Sequence, residues 1–222
     1  MKKNEILDKL AVKSVTKQKV HKTTKEVFEL LKNCCDKIVI ELNKESKLKD
    51  NNVSVSLIEN GDYEFKLQFS GDVLIFHMHS NTFTFDKKHE IWNNPKTKED
   101  SLNAYCGVIN VYNFLNDSFK YNRLNDPGFL ISRIFINRNQ NFFVEGKASF
   151  DKEVANFNNE KINEAFLSEI ISQLILFSID FELLTPSFDD VQVVSLHEMI
   201  KINNEMKLKT SKKLGYKFSN EK

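Results

Sequence analysis

The chain has 222 residues, of which 41% are apolar, 11% aromatic and 28% charged, and it contains 6 glycines and 3 prolines. This composition is too apolar and aromatic for a disordered chain and too poor in glycine and proline for a low-complexity one. We therefore expect a globular protein, and the length allows one domain with a sizeable core.

The sequence predicts a cytoplasmic protein without a membrane partner. It contains no run of about 18 apolar residues, and its charged N-terminus is not followed by the apolar segment of a signal peptide. Cys34 and Cys35 are adjacent and Cys106 is remote, which does not fit a disulfide framework.

The net charge of +1 hides blocks of opposite sign. Residues 1–50 carry a net charge of +5, residues 150–206 carry −8 and residues 207–222 carry +5. Basic ends around an acidic region can steer a charged partner, although ordinary solvated surfaces have the same composition.

The first fifty residues predict helices. From Val27 to Leu42 the apolar residues recur at helical spacing, and a capping box formed by Thr23 and Glu26 predicts the start of this helix. The Lys- and Thr-rich segment 13–21 predicts a break between it and a shorter helix near the N-terminus.

Between residues 53 and 86 the apolar period changes from helical to alternating. Asn60-Gly61 and Ser70-Gly71 are turn signals of the kind that join neighbouring strands. The pattern predicts an antiparallel meander followed by a polar loop at 87–103. Its strands are predicted at residues 53–58, 63–69, 73–79 and 82–85.

Residues 105–121 combine helical spacing with β-branched residues, and we expect a strand to about Tyr112 followed by an irregular or helical turn. A turn at residues 125–128 then leads into a hairpin formed by residues 129–136 and 142–147.

The helical period returns after the hairpin and ends before Pro186. Residues 191–194 favour a short strand. Ser195 and Glu198 form a second capping box, which predicts a last helix that extends to about Lys209.

The order of these elements predicts one α+β domain over residues 1–222, in which an antiparallel β-meander sheet is covered by N- and C-terminal helices. Its predicted parts are a helical region at 1–50, the sheet at 51–150, covering helices at 159–209 and a basic tail at 210–222.

His77 and His79 lie two apart on a predicted strand, so both point to one face, where two imidazoles can chelate a metal. Gly71 and the His77-x-His79 pair resemble the opening of the cupin motif, but Phe83 and Thr84 stand near the place of its expected glutamate. The simpler interpretation puts both histidines on a hydrated face. We therefore keep them as weak metal candidates and predict neither a metal nor a cofactor.

The densest polar and aromatic segment runs from Asn113 to Arg133. Such side chains can hold a phosphate, a nucleotide or a protein loop, and a basic aromatic tail adds electrostatic contacts. The alternative is a satisfied polar network that ties a long connection to the sheet. The predicted partner- or ligand-binding residues are Asp117, Lys120, Tyr121, Arg123, Arg133, Lys212, Lys213 and Tyr216.

Common catalytic and phosphate-binding patterns, such as GxGxxG, GxxxxGK[ST], HExxH and GxSxG, do not occur in the sequence. The leading hypothesis is therefore a non-enzymatic cytosolic binding module, an accessory subunit of a protein or ribonucleoprotein assembly. The alternatives are a ligand-binding sensor or enzyme with a sheet-helix pocket around Arg123, and a metal-dependent cupin-like enzyme.

The stretch from Tyr105-Cys106-Gly107 to Glu145-Gly146-Lys147, with residues 214–218 near the end, resembles an uncharacterised family of bacterial cytosolic proteins. The resemblance implies a single cytosolic domain and implies no activity.

Overall fold

The structure is a computed structural model that describes residues 2–44, 53–147, 160–181, 185 and 187–205. In these residues a long N-terminal helix precedes an antiparallel sheet, and further helices follow the sheet. The fold class is therefore α+β, as the sequence predicts. The basic tail predicted at 210–222 lies outside the described residues.

The N-terminal helix is longer than predicted and continues through the predicted break. It consists of α1 (Lys2–Lys9), one π-helical turn (Leu10–Ser14) and α2 (Val15–Lys44). The prediction that Thr23 marks the start of a helix is wrong, because Thr23 lies inside α2 and is buried. The segment 13–21 contains no proline or glycine, so no residue in it disfavours the helical backbone strongly.

The sheet of the described chain has six strands in sequence order, and each pairs antiparallel with the next. A shift by one residue would turn the apolar side chains of a strand to the other face, so alternation specifies the register. The predicted strand at 82–85 is wrong, since Phe83 forms an isolated bridge with Cys106 outside the strands. The strands are β1 (Val55–Glu59), β2 (Glu64–Phe69), β3 (Asp72–Met78), β4 (Cys106–Leu115), β5 (Phe129–Asn137) and β6 (Phe142–Gly146).

The segment that combined helix and strand signals contains both elements in succession. β4 continues three residues beyond the expected end at Tyr112, and the short helix α4 (Asn116–Lys120) follows directly. The expected strand and helical turn are therefore confirmed, with a later boundary.

One face of the sheet is covered by α2 and by α5 (Glu164–Ile179). Two contacts show that these helices run antiparallel: Lys37 of α2 contacts Glu164 at the start of α5, and Cys34, earlier in α2, contacts Ser168, one turn later in α5. A ladder of aromatic rings joins this face to α2. The ring of Phe28 lies 5.2 Å from that of Phe65, which stacks on Phe76 at 4.7 Å, and each of the three is at most 1% exposed. Burial of such side chains is the main source of stability in a domain of this kind.

The opposite face has a smaller core at one end, and we call it the helix-free face because neither α2 nor α5 covers it. The connection between β3 and β4 folds over this end and includes α3 (Pro95–Glu99). Its Ile91 packs with Phe135 and Phe143, whose rings stack at 4.8 Å. Next to this core, the strand register aligns five polar side chains, which we call the polar row: Glu64, His77, Asn110, Arg133 and Glu145.

The C-terminal helices differ from the prediction. The chain forms α6 (Phe188–Val191) and α7 (Leu196–Glu205), and the strand predicted at 191–194 is wrong. The capping box is confirmed, because the Glu198 N–H donates a hydrogen bond of 3.1 Å to Ser195 Oγ. The prediction that α7 covers the sheet is wrong, because its described side chains are exposed.

Candidate functional site

Three of the predicted binding residues lie around one aromatic ring at the end of the sheet where β4 leads into β5. Lys120 belongs to α4 and Tyr121 follows it directly. Lys120 Nζ lies 5.3 Å from the centroid of the Tyr121 ring, and Arg123 Cζ lies 4.9 Å from it. Asp117, another predicted residue, is exposed in the first turn of α4. The loop thus presents a positive and aromatic surface.

A buried hydrogen bond holds this loop in its conformation. Ser118 Oγ donates to Asp126 Oδ2 at 2.7 Å, and both residues are 8% exposed. The backbone N–H of Arg123 donates to the carbonyl oxygen of Ser118 at 2.8 Å. Buried polar groups are stable only when they are hydrogen-bonded, so this network has the structural role that the sequence allowed as an alternative.

Arg133 lies apart from the loop and belongs to the polar row. It is the fifth residue of β5, so it lies about 13 Å along the strand from Phe129, where β5 begins. Arg133 Nη2 lies 2.5 Å from Glu145 Oε2, and Glu145 Oε1 lies 3.4 Å from His89 Nε2. The sequence grouped Arg133 with Arg123, whereas the structure groups it with a carboxylate and an imidazole.

The two candidate metal ligands lie on the helix-free face, as the alternation of β3 predicts. His77 lies between Glu64 and Asn110 in the polar row, and His79 Nδ1 accepts a hydrogen bond of 3.0 Å from the Asn81 N–H. In the part of the chain that the structure describes, no three or more histidine, cysteine or carboxylate side chains are grouped to hold a metal ion.

The remaining predicted binding residues, Lys212, Lys213 and Tyr216, lie outside the described residues. A further basic segment that the structure describes lies at the other end of the chain. Residues 2–25 contain eight lysines and two acidic residues, a net charge of +6.

The first part of this basic segment extends beyond the body of the protein. All residues from 2 to 15 are exposed, and we call them the arm; Thr16 is the first buried residue of the helix. Leu7, Ala11 and Val15 recur every four residues, so they lie along one side of the arm. Its large apolar side chains are each 47–57% exposed: Ile6, Leu7, Leu10, Val12 and Val15.

The sequence contained a signal for the arm, but not for its exposure. Helical spacing near Leu7 and Leu10 indicates a helix, whereas the same spacing occurs in helices whose apolar side is buried. Since burial of the helix begins only at Thr16, tertiary structure decides that the arm stays exposed.

The cysteines are poor candidates for nucleophiles. Cys34, Cys35 and Cys106 are free thiols that are at most 1% exposed. Burial raises the pKa of each thiol above its ordinary value, and in Cys34 the nearby Glu164 carboxylate adds to this effect. The reactive thiolate is therefore disfavoured at neutral pH.

Comparisons of the chain with models of protein families, with curated proteins and with solved structures found no match. The resemblance to a bacterial cytosolic family therefore stays a prediction. Among the described residues, no helix has both the length and the apolar character that crossing a bilayer requires.

Proposed function

We propose that this protein is a binding module that holds an acidic amphipathic helix of a partner protein along its N-terminal arm. The observation that carries this proposal is that every residue from 2 to 15 is exposed, with apolar side chains and lysines on one helix. An amphipathic helix is suited to cover such a surface, since its apolar side can pack on the arm while its acidic flanks meet the lysines.

The apolar side chains favour a protein partner over a nucleic acid. If the arm carried only lysines, a nucleic acid would suit it, because lysines bind phosphates by neutralising their charge. With a nucleic acid bound, however, the apolar side chains of Leu7 and Leu10 would still be exposed to water. A partner helix would remove them from water, which is worth about 25 cal/mol per Å² of apolar surface.

Charge complementarity supports an acidic partner. The arm and the turns after it carry a net charge of +6, so an acidic helix is attracted at long range and a basic one is repelled. The chain itself contains a segment of the required type, because residues 187–205 hold four acidic residues and one lysine, with Leu196, Met199 and Ile200 exposed. A second copy of this chain is therefore one protein that can supply the helix.

A photo-crosslinking amino acid at position 10 of the full chain tests the proposal in cells. Leu176 on α5 is the matched control position, because it is a helical leucine of similar exposure, 54% against 52% for Leu10. We expect crosslinks from position 10, mapped by mass spectrometry, to reach an acidic amphipathic helix, and position 176 to give none of these products. Mixed isotope-labelled copies distinguish a second copy from the same chain.

Crosslinks from position 10 only to nucleic acid, only within the same chain, or identical to those from position 176 would contradict the proposal. A second readout keeps the crosslinking amino acid at position 10 and adds the double variant Ile6→Gln with Leu7→Gln, in which glutamine keeps the helix propensity high while apolar surface next to position 10 is lost. Recovery of the crosslinked partner should fall by about tenfold or more, since each buried leucine or isoleucine is worth about 1.5–3 kcal/mol. Undiminished recovery would also contradict the proposal.

The variant Lys3→Gln with Lys9→Gln tests the charge separately. It leaves the apolar side chains in place, so we expect a smaller loss of recovery that disappears as the salt concentration rises. A loss that is independent of salt would contradict the electrostatic part of the proposal.

A further inference from the structure

A cleft of about 310 Å³ opens on the helix-free face, where the connection between β3 and β4 meets the polar row. This volume is at the small end of the range for ligand sites and suits a single heterocycle with its substituents. The cleft belongs to a different surface from the arm. Its lining includes the polar side chains His79, His89, Arg133 and Glu145 and the aromatic rings of Phe83 and Phe85.

The acceptor of the cleft is the Glu145 carboxylate, which is oriented from two sides. Arg133 Nη2 lies 2.5 Å from one of its oxygens, and His89 Nε2 lies 3.4 Å from the other. His89 Nδ1 accepts a hydrogen bond of 3.2 Å from the Ile91 N–H, so the ring proton is on Nε2 and faces the carboxylate. Each carboxylate oxygen has a second lone pair, which leaves Glu145 able to accept from a ligand.

The cleft also holds further hydrogen-bond donors. His79 Nδ1 accepts from the Asn81 N–H at 3.0 Å, so its proton is also on Nε2. The Arg133 guanidinium has five N–H donors, more than its contact with Glu145 uses. Because the charges of Arg133 and Glu145 balance, the cleft suits a neutral ligand that carries both a donor and an acceptor.

Aromatic rings provide flat walls for such a ligand. Phe83 is 38% exposed, and its ring packs edge-on against His79 at 4.8 Å. Phe85 lies 4.4 Å from the His89 ring and also contacts Phe135. Such an arrangement suits planar ligand rings, because the face of the ring can stack on an aromatic side chain while the edge of the ring forms hydrogen bonds with the polar groups.

We propose that this cleft binds a neutral planar heterocycle in which a ring N–H stands next to a carbonyl group, as in guanine. Glu145 accepts the hydrogen bond of the ring N–H, and Arg133, which lies beside Glu145, donates to the carbonyl oxygen. Phe83 covers the ring. Two directed polar contacts on one edge of the ring then distinguish it from heterocycles that lack this pair of groups.

Isothermal titration of the full chain with guanosine and adenosine tests the proposal. Adenosine has no ring N–H beside a carbonyl, so we expect it to bind at least about tenfold more weakly than guanosine. Trp92, the one tryptophan of the chain, packs against the small core beside the cleft, so its fluorescence gives a second signal of binding.

The variant Glu145→Gln should weaken guanosine binding by about tenfold to a hundredfold, the range for loss of a hydrogen bond to a charged group. Glu64→Gln is the matched control, because Glu64 is a carboxylate of the same polar row that does not line the cleft, and its affinity should equal that of the wild type. Absence of guanosine binding, equal binding of adenosine, or an unchanged affinity in Glu145→Gln would overturn the proposal.

Thermal unfolding shows whether Glu145→Gln remains folded. If Glu145→Gln does not fold, the variant Phe83→Ala is used in its place. Because Phe83 is exposed, the fold should be retained in this variant, while loss of the ring should weaken guanosine binding several-fold. Wild-type affinity in folded Phe83→Ala would then overturn the proposal. A guanine-containing tetraribonucleotide is titrated in parallel: tighter binding than that of guanosine indicates a base in a strand, and equal binding indicates a free nucleoside.

Discussion

The two faces of the sheet are built in different ways. Under α2 and α5 the side chains form one continuous apolar core, in which rings such as Phe28 and Phe65 exclude water completely. The helix-free face has a small core at one end and the polar row beside it. The difference indicates that stability is concentrated on the helix-covered face, which leaves the other face free to present polar groups in a fixed register.

Removal of one large ring from each face is the strongest test of this difference. Phe28→Ala creates a cavity in the continuous core and should lower the free energy of unfolding by about 3–5 kcal/mol. Phe85→Ala removes a partly exposed ring from the small core and should cost less than about 2 kcal/mol. Urea unfolding followed by circular dichroism measures both losses. A loss in Phe85→Ala that equals or exceeds the loss in Phe28→Ala would contradict the concentration of stability on the helix-covered face.

A single methyl group tests how closely α2 approaches the sheet. A Cβ atom at Gly107 would lie 2.8 Å from Thr24 Cβ, so Gly107→Ala forces the helix and β4 apart and should cost about 1–3 kcal/mol. Gly71→Ala is the control, because a Cβ atom at Gly71 would meet nothing within 4 Å, and the stability of this variant should stay within about 0.5 kcal/mol of the wild type. If the two variants are equally stable, the contact is looser than the structure indicates.

The buried thiols test whether both cores exclude water. Burial raises the pKa of Cys35, under the helices, and of Cys106, in the small core. The unfolded chain loses these protons above about pH 8.5, whereas the folded chain retains them. Stability is therefore constant below that pH and falls above it by about 1.4 kcal/mol per pH unit for each protected thiol, until the folded pKa is reached.

Denaturant unfolding between pH 7 and pH 10 under reducing conditions measures this fall. Cys106→Ala should reduce the slope by the contribution of one thiol relative to the wild type. An unchanged slope in this variant would mean that water reaches Cys106 and that the small core is open.

The smallest expected effect is that of the exposed ion pair in the polar row. Arg133 and Glu145 have side chains that are 47% and 33% exposed, so Arg133→Gln should change the free energy of unfolding by less than about 1 kcal/mol. Thermal unfolding checks this value. If Arg133→Gln lost as much free energy of unfolding as Phe28→Ala, the main role of the polar row would be to stabilise the fold and not to bind a ligand.

Much of the fold is predictable from local patterns. Alternation in residues 63–78 predicts the meander, and it also predicts that Phe76 enters the core while His77 faces the other side. The capping box at Ser195 is predictable because it depends on residues three positions apart. The equivalent pattern at Thr23 misleads, since its backbone lies within a continuous helix and its side chain is buried by contacts that the local sequence does not contain.

The candidate sites also differ in whether neighbouring residues or residues remote in the chain form them. Lys120, Tyr121 and Arg123 meet because they are neighbours in the chain, so the sequence could group them. Glu145 is 12 residues from Arg133 and 56 from His89, and only the pairing of β5 with β6 and the path of the β3–β4 connection bring these groups together.

For this protein the sequence by itself determined the α+β class, the antiparallel order of the first three strands and the apolar side of β2 and β3, because these depend on periodicity and turn signals within a few residues. Tertiary structure alone decided where the long helix leaves the sheet and becomes the exposed arm, and which polar side chains line the cleft. Both depend on distances between segments remote in the chain, which are set by packing of the whole core.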